Sequence, residues 1–405
     1  MAFKRKRNFP YDKSDEGKTS EDVEVEISSD DEVMAGDDAK VAQGGQLEQT
    51  FKCQNCAANM VFKPGGHTQV CEYCGHENAI ATNTDDIKEL DYRSFLEQSA
   101  QDEALYETQQ IITCSDCAAQ VTADEKQVSH ECPFCGTEIV TSATSKRHIK
   151  PKGILPFKIT RDEAWQSFGN WINGLWFAPN DLKKFASREG KLAGMYVPYW
   201  TYDCDTVSCY VGMRGEYYYT TESYSVTVNG KSQRRTRRKR HTRWWPASGT
   251  IFGTFDDVLI LASDSLPQKN TEKLEPWDLE NLVDYDDAYL SGFKAEHYKV
   301  DLATGFGKAI MVMDDVIRDR VKRDIGGDVQ RVTSIRTQHD HVTFKHLLLP
   351  IWLSAYRYNG HVFRFMINAR TGEVQGDRPY SWVKITLAVV AGLVVAGGIA
   401  MMMNA

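Results

Sequence analysis

Apolar side chains recur along the second half of this chain with two different periods. Trp165, Phe168, Ile172 and Leu175 fall on one face at helical spacing, with Trp171 and Trp176 beside them. Thr160 and Glu163 stand just ahead as a capping box, so the pattern predicts a helix opening at residue 161. A second helix is predicted over 302–325, with Phe306, Ile310, Met313, Ile317 and Val321 inward and Gly326-Gly327 ending it. Residues 196–228 and 341–374 are rich in Tyr, Val, Thr and Ile and read as strands, with turns at Asn359-Gly360 and Thr371-Gly372. Pro198-Tyr199-Trp200 and Pro350-Ile351-Trp352 each introduce a strand run, which predicts two related β-rich halves. The fold class expected for the whole is α+β.

The stretch SVTVNGKSQRRTRRKRHTRWW, residues 225–245, breaks this pattern with charge. Asn229-Gly230 predicts a two-residue type I′ turn, whose central residues both need positive φ. Position i then faces position 459 minus i, setting Tyr224 opposite Arg235, Glu222 opposite Arg237, Tyr219 opposite Arg240 and Tyr218 opposite His241. Alternation puts Arg235, Arg237 and Lys239 on one face and Arg234, Arg238 and Arg240 on the other. Neither face can enter a core, because unpaired buried charge is too costly. Residues 216–243 are therefore expected to project as a two-stranded arm. Its basic side chains Lys231, Arg234, Arg235, Arg237, Arg238, Lys239, Arg240 and Arg243 are candidates for an anionic ligand. Three readings stand: a solvated hairpin neutralised by acidic segments elsewhere, a contact with anionic lipid, or a contact with nucleic-acid phosphate. Gly230-Lys231-Ser232 is not a phosphate loop, since that motif needs glycine where Ser225 stands and a helix after it.

The two ends differ. Lys4-Arg5-Lys6-Arg7 leads into an acidic stretch rather than an apolar one, so no signal peptide is expected. Residues 1–46 are expected to be a disordered acidic tail. Ile385 to Met403 carries no charge, and 19 residues of helix span about 28 Å against a bilayer core of about 30 Å. Arg378 and Lys384 flank that segment, and Tyr380 and Trp382 sit where an interfacial aromatic belt would be. The expectation is a single-pass anchor over 385–403 with the N-terminal body on the cytoplasmic side. Ala388, Gly392, Ala396 and Ala400 form a small-residue stripe through which two such helices could associate.

Eight of the ten cysteines form two copies of one pattern. Cys53, Cys56, Cys71 and Cys74 make the first, and Cys114, Cys117, Cys132 and Cys135 repeat it 61 residues later. Each copy is a pair of C-x2-C knuckles, and four thiolates from two knuckles close a tetrahedral Zn²⁺ site with no open position. Two structural zinc ions are expected, in ribbons over 47–80 and 111–142 joined by an acidic and helical linker over 81–110. A unit of about 30 residues is too small to be stabilised by burial alone. Disulfides conflict with a cytosolic location, and a redox pair would not need a second knuckle at a repeated spacing. Cys204 and Cys209, on opposite faces of one strand, are read as plain buried thiols.

Charge decides what the ribbons meet. The formal net charge of −8 divides into −13 over residues 1–150 and +5 over 151–405. Phosphate binding depends on Lys and Arg displacing counterions, so the acidic ribbons point to protein partners. No catalytic constellation emerges from the body over 151–380. His339, His341 and His346 have no partner motif, and Asp256-Asp257 and Asp284-x-Asp286-Asp287 lack an accompanying nucleophile or Gly-rich loop. A non-enzymatic chain is expected.

The segments WFAPNDLK, YVPYWTYD, FDDVLILASDSLP, EPWDLENLVDYDDAYLSGFKAEHY, TFKHLLLPIWLSAYRY and INARTGEVQGDRPYSWVKI resemble a bacterial family of paired zinc-ribbon, C-terminally membrane-anchored proteins. Such proteins are often labelled primosomal protein N-prime, replication factor Y, superfamily II helicase or TFIIB-type zinc ribbon protein. This sequence lacks the ATP-binding residues of a helicase, so that activity does not carry over. Related membrane-bound zinc-ribbon proteins are associated with phage-shock-protein-A-like and flotillin-like membrane-stress systems. The resemblance implies an adaptor at the bacterial inner membrane that recruits a cytosolic protein. The competing expectation is a zinc-dependent DNA- or RNA-binding protein associated with replication.

Overall fold

The computed structural model of the chain describes residues 51–81, 87–98, 106–114, 120–122, 129–132, 134, 137–140, 144–179, 192–228, 231–358 and 361–404. The expected acidic tail and the turns at Asn229-Gly230 and Asn359-Gly360 lie outside them. The first half is built from short strands. These are β1 (Met60–Lys63), β2 (Thr68–Cys71), β3 (Glu77–Ala79), β4 (Leu90–Asp91), β5 (Tyr106–Thr113), β6 (Gln120–Thr122), β7 (Ser129–Glu131), β8 (Glu138–Val140) and β9 (Thr144–Ile149). Its one described helix is α1 (Tyr92–Gln98). Of the linker expected to be helical over 81–110, the described residues hold this two-turn helix with a strand on each side, and residues 82–86 and 99–105 lie outside them.

The second half holds β10 (Gly153–Ile154), α2 (Arg161–Gly174), β11 (Ala193–Val228), β12 (Lys231–Leu261), β13 (Val283–Asp284) and β14 (Lys294–Ala295). It continues with α3 (Leu302–Ile325), β15 (Val329–Tyr358), β16 (His361–Asn368), β17 (Val374–Gly376) and α4 (Trp382–Asn404). Strands β12, β11, β15, β10 and β13 lie side by side in one mixed sheet, with β14 added on β11 and β16 and β4 on β15. The central pairing is antiparallel, from Ala193↔Leu353 to Gly215↔Val329. On the other side of β11, β12 runs from Tyr199↔Leu261 to Val228↔Lys231. The mixture of helices and sheet agrees with the α+β expectation.

Local signals explain the helices. Thr160 Oγ1 accepts from Glu163 N (3.4 Å) and Glu163 Oε2 accepts from Thr160 N (2.8 Å), which completes the capping box of α2. Asp301 caps α3 by accepting from Thr304 N (2.7 Å), and Gly326, at φ 67°, ends it. The buried stripe of α3 is Leu302, Gly305, Ala309, Met313, Ile317, Val321 and Ile325. Met313, Ile317 and Val321 are inward as expected, but the first turns are rotated from the expected face, with Phe306 and Ile310 half-buried at its edge. The cause is Gly305, where an added Cβ would collide with Tyr202 Oη and lie 2.9 Å from Trp200 Cδ1. Two small residues let the helix axis approach those rings.

Both faces of the sheet centre are covered, which is why LLLPIWL reads as a continuous apolar run. On one face Phe157, Phe168, Tyr196, Trp352 and Phe365 pack together, with the Phe168 and Phe365 rings 3.8 Å apart. On the other, Met195, Val197, Leu349 and Ile351 meet Ile112, Cys114, Cys132 and Phe134 of the second cysteine module. The first module docks as well. Phe62 and Ile80 enter the core beside Tyr289, and Phe62 N donates to Ser291 O (2.9 Å). The two modules are not beads on a linker, because Gln49–Ala405 forms one compact unit.

Helix α4 stands apart in composition. Trp382–Ile399 has a mean hydropathy of 2.0 and 0% of it is buried, unlike the core helix of a soluble protein. It is long and apolar enough to cross a membrane.

Candidate functional site

The first four cysteines converge because each sits in a tight backbone knuckle. Ala57 N donates to Cys53 O (2.8 Å) and Cys53 N to Ala58 O (2.8 Å), with Ala57 at φ 57°. The second knuckle repeats this, with Gly75 N on Cys71 O and Cys71 N on His76 O (both 2.9 Å) and Gly75 at φ 71°. The hairpin β1–β2 then carries one knuckle to the other through Met60↔Cys71.

All four sulfurs lie within 4.8 Å of one another, a group that could hold a metal ion. Cys53 and Cys74 are 3.5 Å apart and Cys56 and Cys71 3.4 Å apart, well beyond a disulfide bond of about 2 Å. A tetrahedral ion with metal–sulfur bonds near 2.3 Å needs sulfur separations of roughly 3.8 Å, so the donor set fits. Cys53 and Cys71 are buried and Cys56 and Cys74 face solvent. The His76 backbone N–H brings the Cys74 thiol down to about 6. The Ala58 N–H acts in the same direction on Cys56, but the neighbouring Cys71, Cys74 and Cys53 sulfurs outweigh it and push that thiol up to about 12.

Of the second set, Cys114 and Cys132 are buried, and Cys117 and Cys135 lie outside the described residues. Cys132 N donates to Thr137 O (2.8 Å), which repeats the Cys71–His76 bond 61 residues on.

The arm is the second feature. Beyond Gly215↔Val329 strand β15 has ended, and β11 and β12 continue alone through thirteen pairs, from Glu216↔Arg243 to Val228↔Lys231. Tyr224 pairs with Arg235, Glu222 with Arg237, Tyr219 with Arg240 and Tyr218 with His241, the register a two-residue turn requires. Glu222 serves the face of Arg235, Arg237 and Lys239, with Lys239 Nζ at 2.9 Å and Arg237 at 3.2 Å. Lys239 and then Arg237 hold its carboxyl below the ordinary range. Among the described residues of the arm, the opposite face has no carboxylate. There Arg240 lies 4.3 Å over Tyr217 and Arg238 4.7 Å over Tyr219, so tyrosine rings preorganise the guanidinium groups.

Strand β11 also settles the two isolated thiols. Cys204 is buried beneath α3 and Cys209 is exposed, which corrects the expectation that both are buried. Their opposite faces are not equally covered. The three histidines do not converge: His346 Nδ1 bonds to Ile149 O (2.9 Å), His341 Nδ1 to Asp205 Oδ2 (3.2 Å), and His339 sits edge-on to Phe306. Asp286 caps a short turn through Ala288 N (2.8 Å), as a solvated cap would.

No family model matches the chain, and no solved structure matches it. The chain is similar to the uncharacterized protein YdjG of Bacillus subtilis (strain 168). The two are 26% identical over 342 residues, which is 83% of this chain and 92% of that protein.

One cluster carries no sequence motif. Lys345 Nζ lies 2.9 Å from Glu89, 3.0 Å from Asp257 and 3.8 Å from Asp203 where β11 bulges against both neighbours. Burial and then Glu89 push the Asp203 carboxyl up to about 7. Burial acts the same way on Glu89, but bonds from Asp203, Lys345 and Thr343 prevail and bring it to about 2. Asp203, Asp256 and Asp257 are close enough to share an ion, and the Lys345 ammonium already stands beside two of them, Asp203 and Asp257. The cluster ties β4, and with it the segment between the two cysteine modules, to the sheet.

Proposed function

We propose that this chain is a non-enzymatic, membrane-anchored adaptor. Helix α4 crosses the bacterial inner membrane once, with the body on the cytoplasmic side, and the cysteine modules each hold a structural Zn²⁺. Their acidic surface recruits a cytosolic protein, and the basic arm meets anionic phosphate. The observation that carries this reading is the exposure of an apolar helix, without charge from Ile385 to Met403, in a chain that also brings four sulfurs into one site. Such a site leaves no position for a substrate, so its metal is a scaffold rather than a reagent. The resemblance to membrane-stress adaptors supports the recruiting role, as does the excess of Asp and Glu over residues 1–150.

The test is membrane fractionation followed by affinity capture. The full-length chain is expected to sediment with membranes, to resist high salt and to be released by detergent. Captured from that extract, the wild type is expected to bring down a cytosolic protein that Cys56→Ser does not. Full-length protein remaining in the supernatant, or identical captures from the two chains, would remove the proposal.

A further inference from the structure

Trp176 and Phe177 follow α2 directly and are far from α4 in sequence, yet they are clamped to its first turn. Ser381 N donates to Phe177 O (2.7 Å), and Lys384 Nζ donates to Trp176 O (3.2 Å) and Ala178 O (2.8 Å). The lysine is thereby held on backbone carbonyls, at the foot of the uncharged segment. While Ile172 and Ala178 on either side are buried, the Trp176 ring is 80% exposed and Phe177 is 41% exposed. Tyr380 and Trp382, at the start of α4, are 60% and 76% exposed. Four aromatic side chains thus surround one end of the apolar helix, and none of the described residues buries them. Between them lies an apolar hollow of about 390 Å³ lined by Phe177, Tyr380, Ile385, Ala388 and Val389.

From this geometry we infer that the Trp176-Phe177 loop is a second membrane contact, seated in the interfacial layer of the bilayer that α4 crosses. Amphipathic rings favour that layer, where one edge meets hydrocarbon and the other meets water and headgroups. The hollow is walled by the first residues of α4 inside the uncharged segment, so lipid chains are the apolar material available to fill it. The lysine ammonium and its carbonyl partners stay at headgroup depth, where partial hydration costs little. Two contacts instead of one fix the tilt of the body, because the loop belongs to the sheet domain through Ile172 and Ala178.

The inference rests on the membrane-anchor reading, and one experiment separates their failures. Full-length protein is reconstituted in lipid nanodiscs, and tryptophan emission is compared between ordinary lipids and lipids brominated near the headgroup. W176F is expected to lose a share of the lipid-quenched amplitude comparable to the share lost in W382F. W171F, whose ring is half-buried and packed on Phe168, should leave that amplitude unchanged. A loss in W382F with none in W176F overturns the second contact and leaves the anchor standing. No quenching in any form of the protein overturns both.

Discussion

Trp200 and Trp352 lie on neighbouring antiparallel strands and make the same hydrogen bond in opposite halves of the fold. Trp200 Nε1 donates to Val300 O (2.9 Å), two residues before α3 begins. Trp352 Nε1 donates to Ile159 O (3.0 Å), two residues before α2 begins. The pairing Val197↔Leu349 lies midway between the two tryptophans, as an approximate two-fold axis would. Short strands obey the same relation: β10 runs parallel to β15 at Ile154↔Leu348, and β14 runs parallel to β11 at Tyr196↔Ala295. Each half is therefore a β-α-β-β unit whose helix rests on the other half's hairpin. Neither half can bury its helix alone.

Equivalent bonds should carry equivalent weight. Trp200→Phe and Trp352→Phe each leave a carbonyl without its donor and are expected to lower stability by about 1–2 kcal/mol. Urea unfolding of the detergent-solubilised chain measures both. A neutral effect at one site with a full loss at the other would show that the symmetry is only one of outline.

Metal content distinguishes the cysteine sites. The purified wild type is expected to contain two zinc ions per chain and Cys56→Ser one, by elemental analysis. Because Cys56 faces solvent while Phe62 and Ile80 anchor the module, the variant should keep the body folded. A wild-type protein without zinc would end the structural-metal reading.

Stability should depend on pH through Glu296. Its carboxyl is buried, Ser263 Oγ donates to it (2.8 Å), and burial raises it from 4.5 to about 7. The folded state then binds a proton that the unfolded state has released between about pH 4.5 and 7. Stability from this group is full at low pH and falls as pH rises through 7. Glu296→Gln keeps the shape without the titration, so melting curves should show the variant gaining on the wild type between about pH 4.5 and 7 and keeping that gain above. The gain should be on the order of 3 kcal/mol. Parallel pH profiles for the two proteins would place the pH dependence elsewhere.

The carboxylate-free face of the arm gives a fourth test. With the chain ended before Trp382, replacing Arg234, Arg238 and Arg240 by Glu is expected to weaken binding to anionic vesicles at least tenfold, since each basic residue near such a surface contributes about 1 kcal/mol. Unchanged vesicle binding, with salt-sensitive retention of DNA by the wild type, would assign the arm to nucleic acid.

Much of this architecture was legible where short-range rules suffice. Asn229-Gly230 and strand alternation gave the pairing of Glu222 with Arg237, because turn length alone fixes a hairpin register. The capping box gave the start of α2. What could not be read were relations between distant segments. Glu89 and Lys345 are 256 positions apart and meet only because β4 docks on β15. The rotation of α3 depends on how close Gly305 lets it come to Tyr202. The knuckle spacings announced four converging sulfurs but not that Cys132 and Phe134 would line the body's own core. Local patterns name a module, while its outer surface decides whether it stands free.

Because β15 begins only at Val329, opposite Gly215, the last thirteen rungs of the hairpin are answerable to no third strand. Its reach can therefore change without disturbing the rest of the molecule, provided residues are added or removed in symmetrical pairs. A single-residue deletion on one side would instead swing every guanidinium on that strand to the opposite surface. Length here behaves as an adjustable ruler, and related chains could span different gaps from one common base.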